Sequence, residues 1–126
     1  MNLSGAVTRP NKLVAAAVSL IVVIFLPITL FGVLLPINEY RSMGIDGALD
    51  CDGPLEVMIF IGPALVVYAA AVVYYIVLLK AQRRSVWARV LLVVCVVMLL
   101  AAGGKGWAVY AEKLRPEFRQ GCGYRW

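Results

Sequence analysis

Residues 13–35 read LVAAAVSLIVVIFLPITLFGVLL, and this uncharged stretch decides the class of fold. The hydrocarbon core of a bilayer is about 30 Å thick, and a helix of roughly 20 residues crosses it. Two further apolar stretches of similar length follow at 55–79 and 87–110. Hydrocarbon offers the backbone no hydrogen-bonding partner, so each stretch is expected to be a helix. The sequence therefore predicts an all-α membrane protein with three transmembrane helices.

The composition supports this class and excludes several functions. Of the 126 residues, 63% are hydrophobic and 15% are charged, and the charged residues lie almost entirely between or beyond the apolar stretches. This segregation is typical of a bilayer protein. The sequence contains no histidine, which excludes imidazole general bases and His-ligated zinc or haem. We expect no enzyme, no cofactor and no metal site.

The three spans organise the chain as one membrane domain, residues 1–126. We expect an up-down-up bundle with an acidic, glycine-containing loop after the first span and a short basic tail at 111–126. The first apolar stretch is too long for the hydrophobic region of a signal peptide and lacks a cleavage motif, so we interpret it as an uncleaved span. The helix of the third span is expected to continue past Tyr110 until Pro116 stops it.

Basic residues near the span ends predict the orientation, because Lys and Arg are retained on the cytoplasmic side. The second loop holds four of them, whereas the first loop holds only Arg41. The tail argues the other way, since it would carry Lys113, Arg115, Arg119 and Arg125 across the membrane. Four charges in one short hairpin resist translocation more than a tail that also contains acidic residues. We therefore expect a cytoplasmic N-terminus and an outer C-terminus, in what we interpret as a bacterial inner membrane; the determinants are Lys80, Arg83, Arg84 and Arg89.

In this orientation, two of the three cysteines lie on the outer, oxidising side of the membrane. Cys51 lies in the first loop and Cys122 in the tail, and a disulfide between them would stabilise the fold by roughly 2 to 4 kcal/mol. Two unpaired thiols are the alternative. The chain has no C-x-x-C pair, which makes a catalytic thiol role the weaker interpretation. Cys95, inside the third span, is interpreted as a small packing residue.

Two charged residues lie near the outer boundary of the spans. Glu56 opens the second span and Lys105 lies near the end of the third, so antiparallel packing brings them to a similar depth. A charge at that depth is costly unless it pairs or extends to the headgroups. The sequence therefore predicts either an ion pair between Glu56 and Lys105 or two side chains that reach the headgroups separately, and the second alternative is favoured.

Helix-breaking residues cluster in the outer half of the bundle. Pro27 and Pro63 each lie eight residues from the outer end of their spans, about 12 Å below the interface. Each proline frees a backbone carbonyl one turn earlier. A kink, or a groove open to the outer leaflet, could form there, although Pro and Gly are ordinary in membrane helices. The third span contributes Gly103, Gly104 and Gly106 near this level.

Small residues and tyrosines mark faces for helix contacts. Ala15 and Ser19, like Gly104 and Ala108, have the spacing that lets two helix backbones approach. A second pattern places four residues on one face of the second span: Ala64, Tyr68, Ala71 and Tyr75. These patterns leave open whether the neighbour is the same chain, a second copy or another protein.

The spans carry little chemistry, and the outer side carries most of the polar residues. We therefore interpret the chain as a non-enzymatic protein that acts through protein-protein contacts, either as an accessory subunit or as a protective, immunity-type partner of a membrane or secreted protein. The expected partners are the lipid bilayer and a protein or a second copy of the chain, and not nucleic acid. The alternatives are a subunit of an oligomeric transporter and, third, a membrane thiol-redox protein using Cys51 and Cys122.

Overall fold

A computed structural model describes residues 11–123, and every regular element among these residues is a helix. Arg125, which entered the orientation argument, lies outside the described residues. Three helices are long and two are short: α1 (Lys12–Leu34), α2 (Glu39–Ser42), α3 (Gly53–Ala81), α4 (Val86–Leu114) and α5 (Pro116–Cys122).

The three long helices are each long and apolar enough to cross a membrane. Their most apolar windows have mean hydropathies of 2.8, 2.3 and 2.5, and at most 28% of the residues in any of these windows are buried inside the protein. The long helices therefore leave much of their apolar surface uncovered by the rest of the protein, which is the arrangement expected when the surrounding solvent is lipid. The prediction of an all-helical membrane protein with three spans is confirmed at this level.

Local sequence explains where the long helices begin. The side chain of Asn11 accepts a hydrogen bond from the backbone N–H of Leu13 at 3.0 Å, and Ser85 accepts one from Ala88 at 3.3 Å. Both are N-caps, which satisfy N–H groups that have no partner within the helix. Pro54 lies in the first turn of α3, where its missing N–H costs nothing. All three starts are thus encoded locally.

Helix α3 is the centre of the bundle and contacts both α1 and α4. Its Ala64, Tyr68, Ala71 and Tyr75 are all buried, which confirms that they form one packing face. Cys95 of α4 is buried in the same cluster and is not disulfide-bonded, as a packing residue would be. Small alanines and large tyrosines alternate along this face, and all four belong to one buried core cluster together with residues of α1 and α4.

Close packing of α1 against α3 depends on Gly32. A Cβ atom added there would lie 2.7 Å from the Cβ of Phe60 and 3.2 Å from Cδ1 of Ile61. At the other end of the same pair of helices, Ser19 contacts Tyr75. The start of α1 therefore lies beside the end of α3, and the end of α1 lies beside the first half of α3.

The prolines and glycines of the predicted irregular layer are accommodated without breaking a helix. Pro27 and Pro63 both lie inside continuous helices, α1 and α3, and both are exposed. Gly103 and Gly104 have no neighbour within 4 Å of an added Cβ, while Gly106 makes ordinary contact with Ile61 and Leu65. The groove at this level stays a prediction.

Candidate functional site

Polar and covalent interactions gather at one end of the bundle, in a unit that we call the cap. The cap consists of the segment 36–52, which includes α2, and the segment 112–123, which includes α5. The described remainder of the chain contributes mainly the long helices and one short basic turn. The cap is therefore the part of the protein in which a polar surface is built from residues outside the apolar stretches.

A disulfide joins the two segments of the cap. Cys51 and Cys122 are bonded, with their Cα atoms 5.5 Å apart and a sequence separation of 71. The predicted disulfide is thus present. The bond connects the loop just before α3 to the last residue of α5, so it holds the tail against the loop.

Apolar packing supports the disulfide on the side of the tail. Phe118 of α5 is buried, and Gly121 lies directly against Leu49 of the loop. A Cβ atom at position 121 would meet Cδ1 of Leu49, so a larger residue there would require the Leu49 side chain to move. The tail is therefore a packed element of the cap.

Hydrogen bonds shape the loop just before α3. One carboxylate oxygen of Asp50 accepts hydrogen bonds from the N–H groups of Asp52 at 3.2 Å and Gly53 at 3.0 Å. Gly53 itself packs against the carbonyl oxygen of Ile37, and a Cβ there would overlap with that oxygen. One acidic residue of this loop, Asp50, therefore bonds the backbone at the start of α3.

A second set of bonds shapes α2 and the turn after it. The side chain of Asn38 accepts a hydrogen bond from the N–H of Arg41 at 3.3 Å and donates one to the carbonyl of Ala48 at 3.1 Å. Gly44 and Gly47 have φ angles of 79° and 86°, a conformation that glycine adopts without steric cost. The segment therefore folds back on itself and presents α2 at its tip.

Two ion pairs connect the loop, the end of α4 and the start of α5. The carboxylate of Glu112 lies 3.2 Å from the guanidinium of Arg115 and 4.0 Å from that of Arg41. The Glu112 side chain is only 12% exposed, whereas both arginines are about half exposed. The well-covered carboxylate is thus shared between the two segments of the cap.

Lys105 lies just below the cap and bonds to the backbone. Its ammonium group donates a hydrogen bond of 2.5 Å to the carbonyl oxygen of Leu35 at the end of α1, where free carbonyls carry partial negative charge. Glu56 is exposed, and the ion pair between Glu56 and Lys105 is not formed among residues 11–123. Lys105 therefore joins α4 to α1. The ion-pair partner considered from the sequence, Glu56, lies in α3.

The polar side chains inside the spans bond within the chain. The hydroxyl of Ser19 lies 2.9 Å from that of Tyr75, and the hydroxyl of Tyr68 donates a 3.3 Å hydrogen bond to the carbonyl of Val22. Thr29 donates to the carbonyl of Phe25 at 2.7 Å. Within residues 11–123 no buried side-chain nitrogen or oxygen lacks a hydrogen-bonding partner. The span interior is therefore a satisfied scaffold.

The hydrogen bonds of the buried tyrosines Tyr68 and Tyr75 were not predicted from the sequence. Tyr68 of α3 donates its hydroxyl hydrogen to the carbonyl of Val22 in α1, which is a contact between two helices. The signal was available, since Tyr68 and Tyr75 lie on the recognised packing face and a buried phenol requires a hydrogen-bonding partner. The partner itself depends on how α1 is rotated about its axis, which the sequence does not give.

The basic residues that predict orientation lie together at the end opposite the cap. Lys80, Arg83, Arg84 and Arg89 all lie in or beside the turn between α3 and α4, and the guanidinium of Arg89 donates a hydrogen bond to the carbonyl of Arg83. All seven acidic residues of the sequence fall at 39–56 and 112–117, which belong to the cap or adjoin it. The two ends of the bundle therefore differ sharply in charge.

Four main clefts lie on the surface of the described residues. Two belong to the cap, with volumes of 280 and 230 Å³, and both are lined by Asn38 and Arg41. A third, of 400 Å³, is an apolar groove between α1 and α3. The fourth, of 370 Å³, lies at the basic end. In the part of the chain that the structure describes, no group of three or more Cys, Asp or Glu residues is placed to hold a metal ion.

Exposed apolar side chains occur on the cap at the tip formed by α2 and the turn after it. Met43 is 70% exposed, and Tyr40 and Ile45 are about half exposed. These residues lie outside the three apolar stretches. Contact with lipid tails, which accounts for exposed apolar side chains on the long helices, therefore does not account for the exposed apolar side chains of the cap. Comparison with protein-family models, curated proteins and solved structures gives no significant match, so a function can be argued only from the chemistry of the molecule itself.

Proposed function

We propose that this chain is a non-enzymatic membrane protein that acts through protein-protein contacts, and that its cap is the contact surface. In this proposal the three long helices cross a bacterial inner membrane in up-down-up order, with the N-terminus in the cytoplasm and the cap outside. The partner is a membrane or secreted protein, for which the chain serves as an accessory subunit or as an immunity-type protector.

The observation that carries the proposal is the contrast between the spans and the cap. The buried polar side chains of the described span interior are hydrogen-bonded within the chain itself, an arrangement that supports a structural role for the spans. The cap, in contrast, is closed by a disulfide and yet exposes Tyr40, Met43 and Ile45. Exposed apolar side chains in a polar, rigidly held surface are a common feature of protein contact sites.

The composition of the tip suits such a contact. Tyrosine, methionine and arginine are enriched where proteins meet, and Tyr40, Arg41 and Met43 follow one another closely along α2 and its C-terminal end. The disulfide and the Gly53 contact hold the base of the loop, which reduces the conformational entropy lost on binding. The tip is therefore both exposed and preorganised.

The test is site-specific photo-cross-linking in cells, followed by purification in mild detergent. A photoreactive residue at position 43 is compared with one at position 86, because Met43 and Val86 are 70% and 68% exposed and lie at opposite ends of the bundle. We expect an adduct with one other protein from position 43 and none from position 86. Met43→Asp should abolish co-purification of that protein, and Val86→Asp should leave it intact.

Two outcomes would contradict the proposal. One is purification of the chain alone together with no adduct at position 43. The other is an adduct that has twice the mass of the chain, which would indicate self-association. Ion-dependent flux through the purified chain in liposomes would favour the transporter alternative in place of an accessory role.

A further inference from the structure

The cleft at the basic end of the bundle lies between the start of α1, the end of α3 and the start of α4. Its volume of 370 Å³ is within the range of small-molecule sites. The walls are apolar and the mouth is polar: Ala15, Leu78 and Leu91 line the walls, and Lys12, Gln82, Ser85 and Trp87 surround the mouth. The cleft is thus amphipathic, and it opens where the apolar spans give way to the basic turn.

The floor of the cleft is closed by a hydrogen-bonded pair. Ser19 donates its hydroxyl hydrogen to the carbonyl of Ala15 at 2.8 Å, so in the 2.9 Å contact between Ser19 and Tyr75 the tyrosine is the donor. Both hydroxyl hydrogens are therefore used inside the protein. A negatively charged group would find no donor at the floor and must bind at the mouth, while the walls accept an apolar group.

Hydrogen-bond donors are available at the mouth. Lys12 is exposed in the first turn of α1, and Gln82 is exposed just after α3. Ser85 accepts the N–H of Ala88 as the N-cap of α4, which leaves its own hydroxyl hydrogen able to donate. The N-terminus of α4 adds a partial positive charge at the same place.

The end of the bundle at which the mouth opens is positively charged. Lys12 lines the cleft, and the same end of the bundle carries four further basic residues in or next to the turn between α3 and α4: Lys80, Arg83, Arg84 and Arg89. Every acidic residue of the sequence lies in or next to the cap at the other end. Basic clefts between transmembrane helices at such a boundary are suited to anionic lipid headgroups. Trp87, which is largely exposed beside the mouth, is of the residue type that settles at the headgroup level.

We propose that this cleft binds one anionic phospholipid. Its phosphate lies at the mouth beside Lys12, Gln82 and Ser85, and the upper part of one acyl chain lies along the walls formed by Ala15, Leu78 and Leu91. The positive mouth selects an anionic headgroup over a zwitterionic one, and the apolar walls select a lipid over a free phosphate compound. The site is independent of the cap and of any protein that the cap binds.

The experiment is native mass spectrometry of the detergent-purified full chain, titrated with phosphatidylglycerol and, separately, with phosphatidylcholine. We expect one phosphatidylglycerol molecule to be retained preferentially. Lys12→Gln should weaken that binding about fivefold, as expected for one basic residue at an anionic lipid surface. The matched control is Arg84→Gln, which removes the same charge from the same end but does not line the cleft and should cause a clearly smaller loss.

A second variant tests the walls without changing the charge. Ala15→Phe fills the space between α1 and α4 and should abolish retention of phosphatidylglycerol, with folding checked by the thermal accessibility of the buried Cys95 thiol. Equal retention of phosphatidylcholine, or equal losses in the Lys12 and Arg84 variants, would overturn the proposal. So would unchanged binding in a folded Ala15 variant, or displacement of the lipid by glycerol phosphate at the same concentration.

Discussion

Removing the disulfide of the cap is the perturbation whose size can best be worked out from the structure. The variant replaces both Cys51 and Cys122 by serine, so no unpaired partner thiol remains. Cys95 is then the one cysteine left, and it is buried among α1, α3 and α4 in the wild type. The same thiol therefore reports unfolding in both proteins.

The expected loss of stability depends on what unfolds. If the whole chain between the cysteines, with its sequence separation of 71, became flexible, the loop-closure entropy would correspond to about 4 kcal/mol. Membrane helices retain their structure when their packing is lost, so α3 and α4 act as rigid segments. Only residues 52, 82–85 and 115–121, about a dozen, then become flexible, and the stabilisation falls to about 3 kcal/mol.

The assay is thermal unfolding in detergent, followed by the reaction of Cys95 with a fluorogenic maleimide. A loss of about 3 kcal/mol should lower the apparent melting temperature by roughly 10 °C at a fixed scan rate. Wild type that is reduced and then alkylated at Cys51 and Cys122 in the folded state, so that Cys95 is again the one reporting thiol, should melt at the temperature of the double variant. If both the double variant and the reduced, alkylated wild type melt like the untreated wild type, the disulfide does not stabilise the cap and our reasoning is wrong.

Three further predictions concern packing and polar contacts, all measured by the same thiol assay. Gly32→Ala should destabilise the bundle by about 1 to 3 kcal/mol, because the new Cβ would lie 2.7 Å from that of Phe60. Gly104→Ala is the matched control, since a Cβ at position 104 meets nothing within 4 Å. An equal loss of stability in both variants would refute the close approach of α1 to α3. Tyr68→Phe should cost about 0.5 to 1.5 kcal/mol through the lost bond to the Val22 carbonyl, and an unchanged melting temperature would argue against that bond. Glu112→Gln should destabilise the cap more than Arg41→Gln. The Glu112 carboxylate is well covered and contacts two arginines, whereas the Arg41 guanidinium is exposed and lies 4.0 Å from that carboxylate. A larger loss of stability in the Arg41 variant would contradict the shared ion pair.

The spans could be predicted closely from the sequence because the signal is local. The expected first span at 13–35 and the observed α1 at Lys12–Leu34 differ by one residue at each end. Helix α4 continues to Leu114, four residues beyond the expected span, because a helix can continue after the apolar stretch until a proline intervenes. Helix α4 ends just before Pro116, as predicted, and Pro116 also begins α5, which was not predicted.

The two short helices could not be predicted in the same way. Helix α5 has only seven residues and depends on the disulfide, the burial of Phe118 and the contact of Gly121 with Leu49. Those contacts come from residues about 70 positions away, and a helix of this length is not stable by propensity alone. The cysteine pair was visible in the sequence, but the element that it holds was not.

Rotation about a helix axis could not be derived from the sequence. Counting residues predicts a similar depth for Glu56 and Lys105, but it does not give the direction in which either side chain points. In the structure Glu56 is exposed, and Lys105 donates to the Leu35 carbonyl. The same limit applies to Gly104 and Ala108, whose small-residue spacing suggests a helix contact but which are exposed within the described chain.

The central claim is that the disulfide-closed cap lies on the outer side of the membrane, where a partner can reach it. The most direct test is cysteine labelling of intact cells with a membrane-impermeant maleimide, before and after treatment with an impermeant reductant. Cys95 is buried and should not react, and a Cys51→Ser, Cys122→Ser variant measures the background labelling. We predict no labelling of the untreated wild type and labelling at Cys51 and Cys122 after reduction. Labelling that appears only after cell lysis would place the cap in the cytoplasm and contradict the account.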